Sequence, residues 1–484
     1  MSHPLFQVAS AVDRLARAGL LVGANLPANG RLGPQTTPDR LLATRGGFLG
    51  AGLDSRSLEP HQLFVALAGE NVDGRNFIPS VLAKGHWVLA EADRDGDDPY
   101  TSLSAAAGAG VLISQDPGAA LASLAGAWRS RWAATVAGVT GTNGKTTTKD
   151  LLAAMLSGAG RTLATAGNLN NRLGQPLTLL GLRADHEFAV IEMGASAVGD
   201  IAALAPLAAP HVGIITNAAP AHLAEFGSLA DIIQGKGELL DSLPVDGSAV
   251  LNADSPGFDA WSDRSPCQVV SFGKSHGTHR WSWAPGSGQQ EPQVTLDGVA
   301  WDVPLPGEHN GANLVAALLA ARSLGVADEK IRTGLGNFAG SPHRGVLLVM
   351  GGRMVLDDSY NANPGSVRAA CRSLGRLAEK GLRIGVLGAM AEMGPDSDAI
   401  HENTGRELAS EDLDILVAVG KNARLLSEGF DAGGGEGHYC ATFEEAAAWL
   451  ATRTEAGDRL LIKGSRSAGM EGMLPLLEQA FSED

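Results

Sequence analysis

Cysteine is scarce in this chain, with three in 484 residues, at Cys267, Cys371 and Cys440. An odd, widely spaced set supplies neither a disulfide framework nor a metal-binding pattern, so all three are expected to be reduced thiols. A basic excess is lacking too. The formal net charge of −16 offers no cationic face for a phosphate backbone, so nucleic acid is not an expected partner. No apolar run reaches the ~20 residues that a bilayer crossing needs, so no membrane insertion is expected. At the N-terminus Asp13, Arg14 and Arg17 interrupt the apolar residues, which predicts a short helix and not a secretory signal. No internal repeat is evident. These absences together lead to the expectation of a soluble, cytoplasmic protein.

What is present is ordinary globular material, 44% hydrophobic and 19% charged, enough for sizeable cores. At ~150 residues per domain the length predicts roughly three domains. Residues 1–130 hold short strands such as Leu63-Phe64-Val65-Ala66-Leu67 and Trp87-Val88-Leu89-Ala90, with a polar loop over residues 93–99. Residues 131–340 alternate helix and strand, with Phe188-Ala189-Val190-Ile191-Glu192 and the run from Val212 to Asn217 reading as buried parallel strands. Residues 341–484 repeat that pattern around Ile384, Ile415 and Leu460, which argues for a doubly wound α/β domain. Gly433-Gly434-Gly435 reads as a flexible loop.

The strongest single signal is Gly138-Val139-Thr140-Gly141-Thr142-Asn143-Gly144-Lys145-Thr146-Thr147-Thr148. An apolar strand precedes it, and a helix with Leu151, Leu152, Met155 and Leu156 on one face follows. Glycines let backbone N–H groups close around phosphate oxygens, and the helix N-terminus adds partial positive charge. Lys145 is placed to reach terminal phosphates and the Thr146 hydroxyl to meet magnesium. The strict pattern wants glycine where Val139 stands, so this is a variant phosphate loop.

In parallel sheets ligands bind beyond the carboxyl ends of the strands, so the residues there carry weight. Glu192 ends a buried strand, where a carboxylate can hold a phosphate-bridging magnesium ion. His222, alone in a loop, reads as readily structural as metal-binding. Lys236, between two glycines, reads by itself as an exposed helix lysine. Asn168, Asn170 and Asn171 cluster after a strand, as a sugar or peptide site or as a turn with Asx-type bonds. Asp357-Asp358-Ser359-Tyr360-Asn361-Ala362-Asn363-Pro364 follows an expected hairpin and suggests a ligand edge, with Pro364 a good first helical residue.

On these residues the chain resembles the Mur ligases, the ATP-dependent amide-forming enzymes that build the peptide of peptidoglycan precursors. The loop from Gly141 to Thr146 is similar to their shared ATP loop. The resemblance runs from Asp54 to Met470, through Asp54-Ser55-Arg56, the strand at Leu63, residues 167–180, Gly307-Glu308-His309-Asn310 with Asn313, residues 357–364, and Lys463-Gly464-Ser465-Arg466. Within the family these motifs are most similar to members that join D-alanyl-D-alanine to UDP-N-acetylmuramoyl-tripeptide. The resemblance implies an α/β protein of three domains: a small UDP-binding α/β domain, a central P-loop ATPase-like domain with a mainly parallel sheet, and a C-terminal Rossmann-like domain that closes on ATP and the dipeptide. A monomer is expected.

The roles of individual residues follow from the same resemblance. Gly141, Thr142, Asn143, Gly144, Lys145, Thr146 and Thr147 form the phosphate site, with Asn310, Asn313, Arg344 and Asp358 as further ATP contacts. Thr146, Glu192, His222 and Lys236 are implied to serve magnesium, Lys236 in carbamylated form, and Lys145, Glu192, His222 and Lys236 to be catalytic. Ser55 and Arg56 are implied to hold the uridine end, and Asn168, Asn170 and Asn171 to face the muramoyl or peptide part. Tyr360, Asn361, Asn363, Lys463, Ser465 and Arg466 are implied to close over the reacting ends. Two departures stand out: Ala389 where an aspartate is expected, and Arg75 where histidine is common. Another Mur ligase, a folate- or amino-acid-polymer ligase, and an ATP-dependent hydrolase or switch remain open as alternatives.

Overall fold

A computed structural model describes residues 6–26, 30–32, 47–69, 72–92, 100, 109–220, 223–286, 291–377 and 381–482. The expected loop over residues 93–99 lies outside them, as does His222. The chain divides into two compact units. One holds residues 1–138, 160–194 and 200–210; the other holds residues 139–159, 195–199 and 211–484.

In the first unit the predicted N-terminal helix forms at Val8–Arg17, with Val8, Ala11, Val12 and Leu15 buried along one face. A six-stranded sheet runs in the order Gly30–Leu32, Leu21–Leu26, Gly110–Ser114, Trp87–Glu91, Leu63–Ala66, Ala51–Gly52. The last four strands are parallel, and Gly110–Ser114 and Leu63–Ala66 are buried along their whole length, which is why they read as unbroken apolar runs. Trp128, on the helix Pro117–Arg129, is buried and donates its indole N–H to Leu182 O at 3.0 Å. The same unit carries the parallel pair Thr162–Ala164 and Phe188–Glu192.

In the second unit Val212–Ile215, Ser248–Asn252 and Gln268–Gly273 are parallel neighbours. An antiparallel extension of His279–Ala284, Gln293–Leu296 and Val299–Asp302 follows. The six-stranded sheet beyond it runs Val346–Met350, Arg353–Asp357, Arg459–Lys463, Arg383–Leu387, Ile415–Val419, Glu436–Cys440. All of these strands but the first are parallel. Helices cover both faces: Cys371, Leu374, Leu408 and Phe430 pack on one side, and Leu450, Met473, Leu477 and Phe481 on the other. This is the doubly wound arrangement expected from the alternation of helix and strand. Because the last strand returns between the second and the fourth, it places Lys463 beside the ends of Arg353–Asp357 and Arg383–Leu387. Such a reversal of strand order marks a ligand crevice.

One loop reading gains a structural account. Gly433 to Gly435 is a helix stop: Gly434 takes φ +92°, and a Cβ on Gly435 would stand 2.1 Å from the Phe430 ring. Only glycine permits the chain to turn this tightly from Arg424–Ala432 into Glu436–Cys440.

Candidate active site

The strand Thr135–Thr140 delivers the phosphate loop and the helix Lys145–Ser157 leaves it. Val139, the departure from the strict pattern, is a buried strand residue, so the variation lies outside the turn. Within the turn both glycines are required. Gly144 has φ +80°, and a Cβ there would fall 2.1 Å from Asn313 Oδ1; at Gly141, φ +141°, it would fall 2.0 Å from Thr216 Oγ1. Thr142 N donates to Asn217 O at 2.9 Å and Asn143 N to Asn217 Oδ1 at 3.0 Å. Thr216 Oγ1 donates to Asn143 O at 2.6 Å, and Asn217 Nδ2 to the same oxygen at 3.1 Å. The polar pair ending an apolar strand was visible in the sequence, but its function as a brace was not. Lys145 curls back over the turn, its Nζ donating to Gly141 O at 2.9 Å and Thr142 O at 3.0 Å. Those carbonyls occupy donors that a phosphate group would take. Thr146 and Thr147 stand in the first helical turn, where N–H groups lack intrahelical partners.

Glu192 ends its strand buried, as the sequence suggested. Its N–H donates to Thr165 Oγ1 at 3.0 Å, and its Oε1 accepts from Asn170 Nδ2 at 2.7 Å. Its Oε2 is buried and accepts no hydrogen bond from the described residues. Leaving a buried acceptor unpaired costs about 1–3 kcal/mol, so this oxygen fits a cation better than it fits an apolar interior. Among the described residues no three His, Cys, Asp or Glu side chains converge as a metal cluster. Asn171 behaves as a turn former, its Oδ1 accepting from Gly174 N at 2.8 Å and Leu173 N at 3.1 Å; Asn168 is exposed nearby.

Lys236 overturns its first reading. The helix Leu229–Gly237 buries it to 2% exposure, its Nζ donating to Ala195 O at 3.2 Å and lying 5.0 Å from the Phe226 ring centre. Glycines on either side remove the side chains that would otherwise hold this helix face away from its neighbours.

The ATP contacts suggested by resemblance are brought together in part. Asn310 and Asn313 share the first turns of Glu308–Ser323, linked by Asn313 Nδ2 to Asn310 Oδ1 at 3.1 Å, with Asn313 against Gly144. Asn363 caps the helix Pro364–Gly375 in a capping box with Ser366, and its Nδ2 reaches Asn143 Oδ1 at 2.7 Å. Lys463 is buried and donates to Asp358 Oδ2 at 2.5 Å and Asn361 O at 2.9 Å. The Tyr360 ring carries the Arg344 guanidinium at 3.9 Å and that of Arg466 at 5.7 Å. Ser465 N donates to Ala389 O at 2.9 Å, so the alanine that departs from the motif is tied through its backbone.

In the first unit Asp54 clamps Arg56, accepting from its backbone N–H and, at 2.9 and 2.7 Å, from Nε and Nη2. The guanidinium holds the Asp54 carboxyl down to about 2. Ser55 sits between them. Asp73 and Arg75 repeat this arrangement, with contacts of 2.9 and 2.7 Å. The cysteines are chemically quiet: burial pushes the Cys371 thiol up to about 12 and raises Cys267 and Cys440 as well.

Sequence reasoning missed one cleft. At the carboxyl ends of Arg383–Leu387, Ile415–Val419 and Arg459–Lys463 a space of about 460 Å³ is lined by residues that include Glu392, Asp398, His401, Lys421 and Arg424. Of its lining the sequence reading had named Ser465 and, as a motif departure, Ala389.

Comparison with known proteins places this geometry. Three family models match: the Mur ligase family catalytic domain over residues 49–129, the Mur ligase middle domain over 139–321, and the Mur ligase glutamate ligase domain over 344–466. The UDP-N-acetylmuramoyl-tripeptide--D-alanyl-D-alanine ligase of Escherichia coli K12 is 36% identical over 437 residues, covering 88% of this chain and 93% of that one. The enzyme of the same name from Bacillus subtilis is 33% identical over 90% of this chain and 94% of its own. A crystal structure of MurF from Acinetobacter baumannii superposes with a TM-score of 0.82 at 30% identity, covering 99% of this chain and 100% of that one. Phosphate loop, doubly wound last sheet and matched regions thus agree along the chain, which belongs to the Mur ligase family and has its three-domain α/β architecture.

Proposed function

We propose that the protein joins D-alanyl-D-alanine to UDP-N-acetylmuramoyl-tripeptide at the expense of ATP, through an acyl phosphate, as the last peptide-adding step on the soluble precursor of peptidoglycan. The observation that carries this reading is the extent of the likeness: 36% identity over 88% of the chain to a ligase of that name, with the phosphate turn intact. In this reading residues 1–130 hold the uridine end, 131–340 the nucleotide, and 341–484 the dipeptide.

ATP supplies the phosphoryl group that makes a carboxylate, a poor electrophile, open to attack, and magnesium neutralises its charge. Lys145 exchanges the Gly141 and Thr142 carbonyls for phosphoryl oxygens and stabilises the charge that develops in transfer. Glu192, through its unpaired Oε2, and Thr146, through its hydroxyl, are suited as magnesium ligands, with His222 as a third. Lys236, buried as it is, is assigned as the carbamylated position. Asn310, Asn313, Arg344 and Asp358 are assigned to ATP. Ser55 and Arg56 take the uridine end, Asn168, Asn170 and Asn171 the muramoyl peptide, and Tyr360, Asn361, Asn363, Lys463, Ser465 and Arg466 the reacting ends. The cleft beside Glu392, Asp398, Lys421 and Arg424 presents both signs of charge, as a zwitterionic dipeptide requires.

A ligation assay with magnesium, ATP, UDP-N-acetylmuramoyl-tripeptide and D-alanyl-D-alanine tests the reading by mass spectrometry. The expected product is heavier by the dipeptide less one water, with phosphate released in step. Phosphate release without that product overturns it in favour of a hydrolase or switch.

A further inference from the structure

The run Leu387-Gly388-Ala389-Met390-Ala391-Glu392-Met393-Gly394 leaves a strand and enters the cleft. Its first half is tied down. Gly388 N donates to Lys463 O at 2.8 Å, and Ala389 O accepts from Ser465 N at 2.9 Å. The third tie comes from a side chain: Met390 N donates to His401 Nε2 at 2.8 Å. Beyond that tie the backbone adopts two left-handed positions, Glu392 at φ +62° and Gly394 at φ +70°. Glycine takes that conformation freely, but a glutamate persists in it only where its surroundings over-determine it.

His401 is itself fixed. It lies on Ser397–Leu408 at 2% exposure, and its Nδ1 is 2.7 Å from Ser397 O. A carbonyl only accepts and an amide N–H only donates, so the proton sits on Nδ1 and Nε2 is the acceptor. Both ring nitrogens are committed, and one of them holds the loop.

We propose that His401 is a positioning residue for the acceptor cleft: through the Met390 amide it holds the segment that presents Glu392 to the incoming dipeptide. The inference rests on the reading of this cleft as the dipeptide site. His401 touches no reacting atom in this scheme; it acts through the loop.

Two substitutions separate the role from general packing. His401→Asn keeps a donor near Ser397 O but leaves the Met390 N–H without its acceptor. His401→Gln returns an oxygen to the Nε2 position. In the intact enzyme His401→Asn is expected to raise KM for D-alanyl-D-alanine about tenfold, the worth of one lost hydrogen bond, with KM for ATP within about twofold of the original. His401→Gln is expected to recover most of that loss. Equal effects of the two variants, or KM for ATP rising in step, overturn the proposal.

Amide hydrogen exchange supplies a readout that needs no turnover: Met390 to Gly394 exchange faster in His401→Asn and not in His401→Gln. Unchanged exchange refutes the hold itself, whereas faster exchange in a protein that does not ligate the dipeptide refutes only the reading of the cleft. Should His401→Asn fail to fold, ¹⁵N spectra of histidine-labelled unmodified protein decide the matter. A protonated Nδ1 and bare Nε2 are expected at neutral pH, and the opposite tautomer overturns the arrangement.

Discussion

Two ligand edges in the same unit are built by opposite means. The phosphate turn is made of backbone: Gly141 and Gly144 bring the chain against Thr216 and Asn313, and its one long side chain rests on its own carbonyls. The edge of the last sheet is made of side chains: Lys463 bridges Asp358 and Asn361, Tyr360 carries two arginines, and His401 holds Met390. In the proposed function the contrast follows from the ligand chemistry. Phosphate is recognised by any ring of N–H groups, so a short contiguous turn suffices. A dipeptide must be distinguished by shape and by the positions of its charges, which calls for groups drawn from several strand ends.

If the first edge is backbone, adding one methyl group there should hurt as much as removing its cation. Lys145→Ala is expected to lower kcat roughly 10²–10³-fold, the usual cost of losing one preorganised charge stabiliser. Gly144→Ala is expected to match it, because its Cβ would lie 2.1 Å from Asn313 Oδ1 at φ +80°. Steady-state kinetics with ATP compare them, and a Gly144→Ala enzyme with near-normal kcat would break the contrast. At the second edge the cation is structural as well. Lys463→Met keeps the length but leaves Asp358, still 22% exposed, without its ion pair. Removing one member of a buried pair costs about 3–5 kcal/mol, and the partial exposure brings the expected loss to about 2 kcal/mol. Urea unfolding measures it, and adding Asp358→Asn should restore part of the stability.

The same contrast explains what could be read from the chain. The strand, glycine turn and helix around Gly141 and Gly144 were legible because their residues are contiguous. The parallel strands were legible as unbroken apolar runs, buried on both faces. Lys236 was misread, since nothing in a nine-residue helix, with glycines on either side of the lysine, says which face its neighbours cover. The His401–Met390 bond could not be read at all. It closes across eleven positions, over a segment in which Glu392 turns left-handed, a conformation that no residue type there announces. Thr216 and Asn217 lay between these cases: their place at a strand end was visible, but their hydrogen bonds to Asn143 depend on sheet register.

Asn363 joins the two edges and predicts an intermediate effect. Asn363→Ala removes a helix cap worth about 1 kcal/mol and the bond to Asn143 Oδ1. Stability should fall by about that amount, and KM for ATP should rise a few-fold. If KM for ATP is unchanged, the two edges act independently and Asn363 is a cap alone.

The smallest effect is expected in the other unit, at Asp54. Its carboxyl is held down to about 2, first by the Arg56 guanidinium and then by the Arg56 backbone N–H. The sign is that of a depressed acid: the pairing contributes above the unfolded value near 4 and is lost as pH falls through about 2. The pair is exposed, so activity and stability near neutral pH should be insensitive to it. Carbon-detected titration of Asp54 should give a midpoint near 2, and Arg56→Ala should return it to near 4. Adding UDP-N-acetylmuramoyl-tripeptide sharpens the point. Should the uridine diphosphate draw Arg56 away, the Asp54 midpoint rises on binding, and Arg56 joins Lys145 as a cation kept on the protein's own oxygens until a phosphate displaces them. A midpoint indifferent to the nucleotide leaves Arg56 as a brace for its own loop, built of side chains like the last sheet's edge.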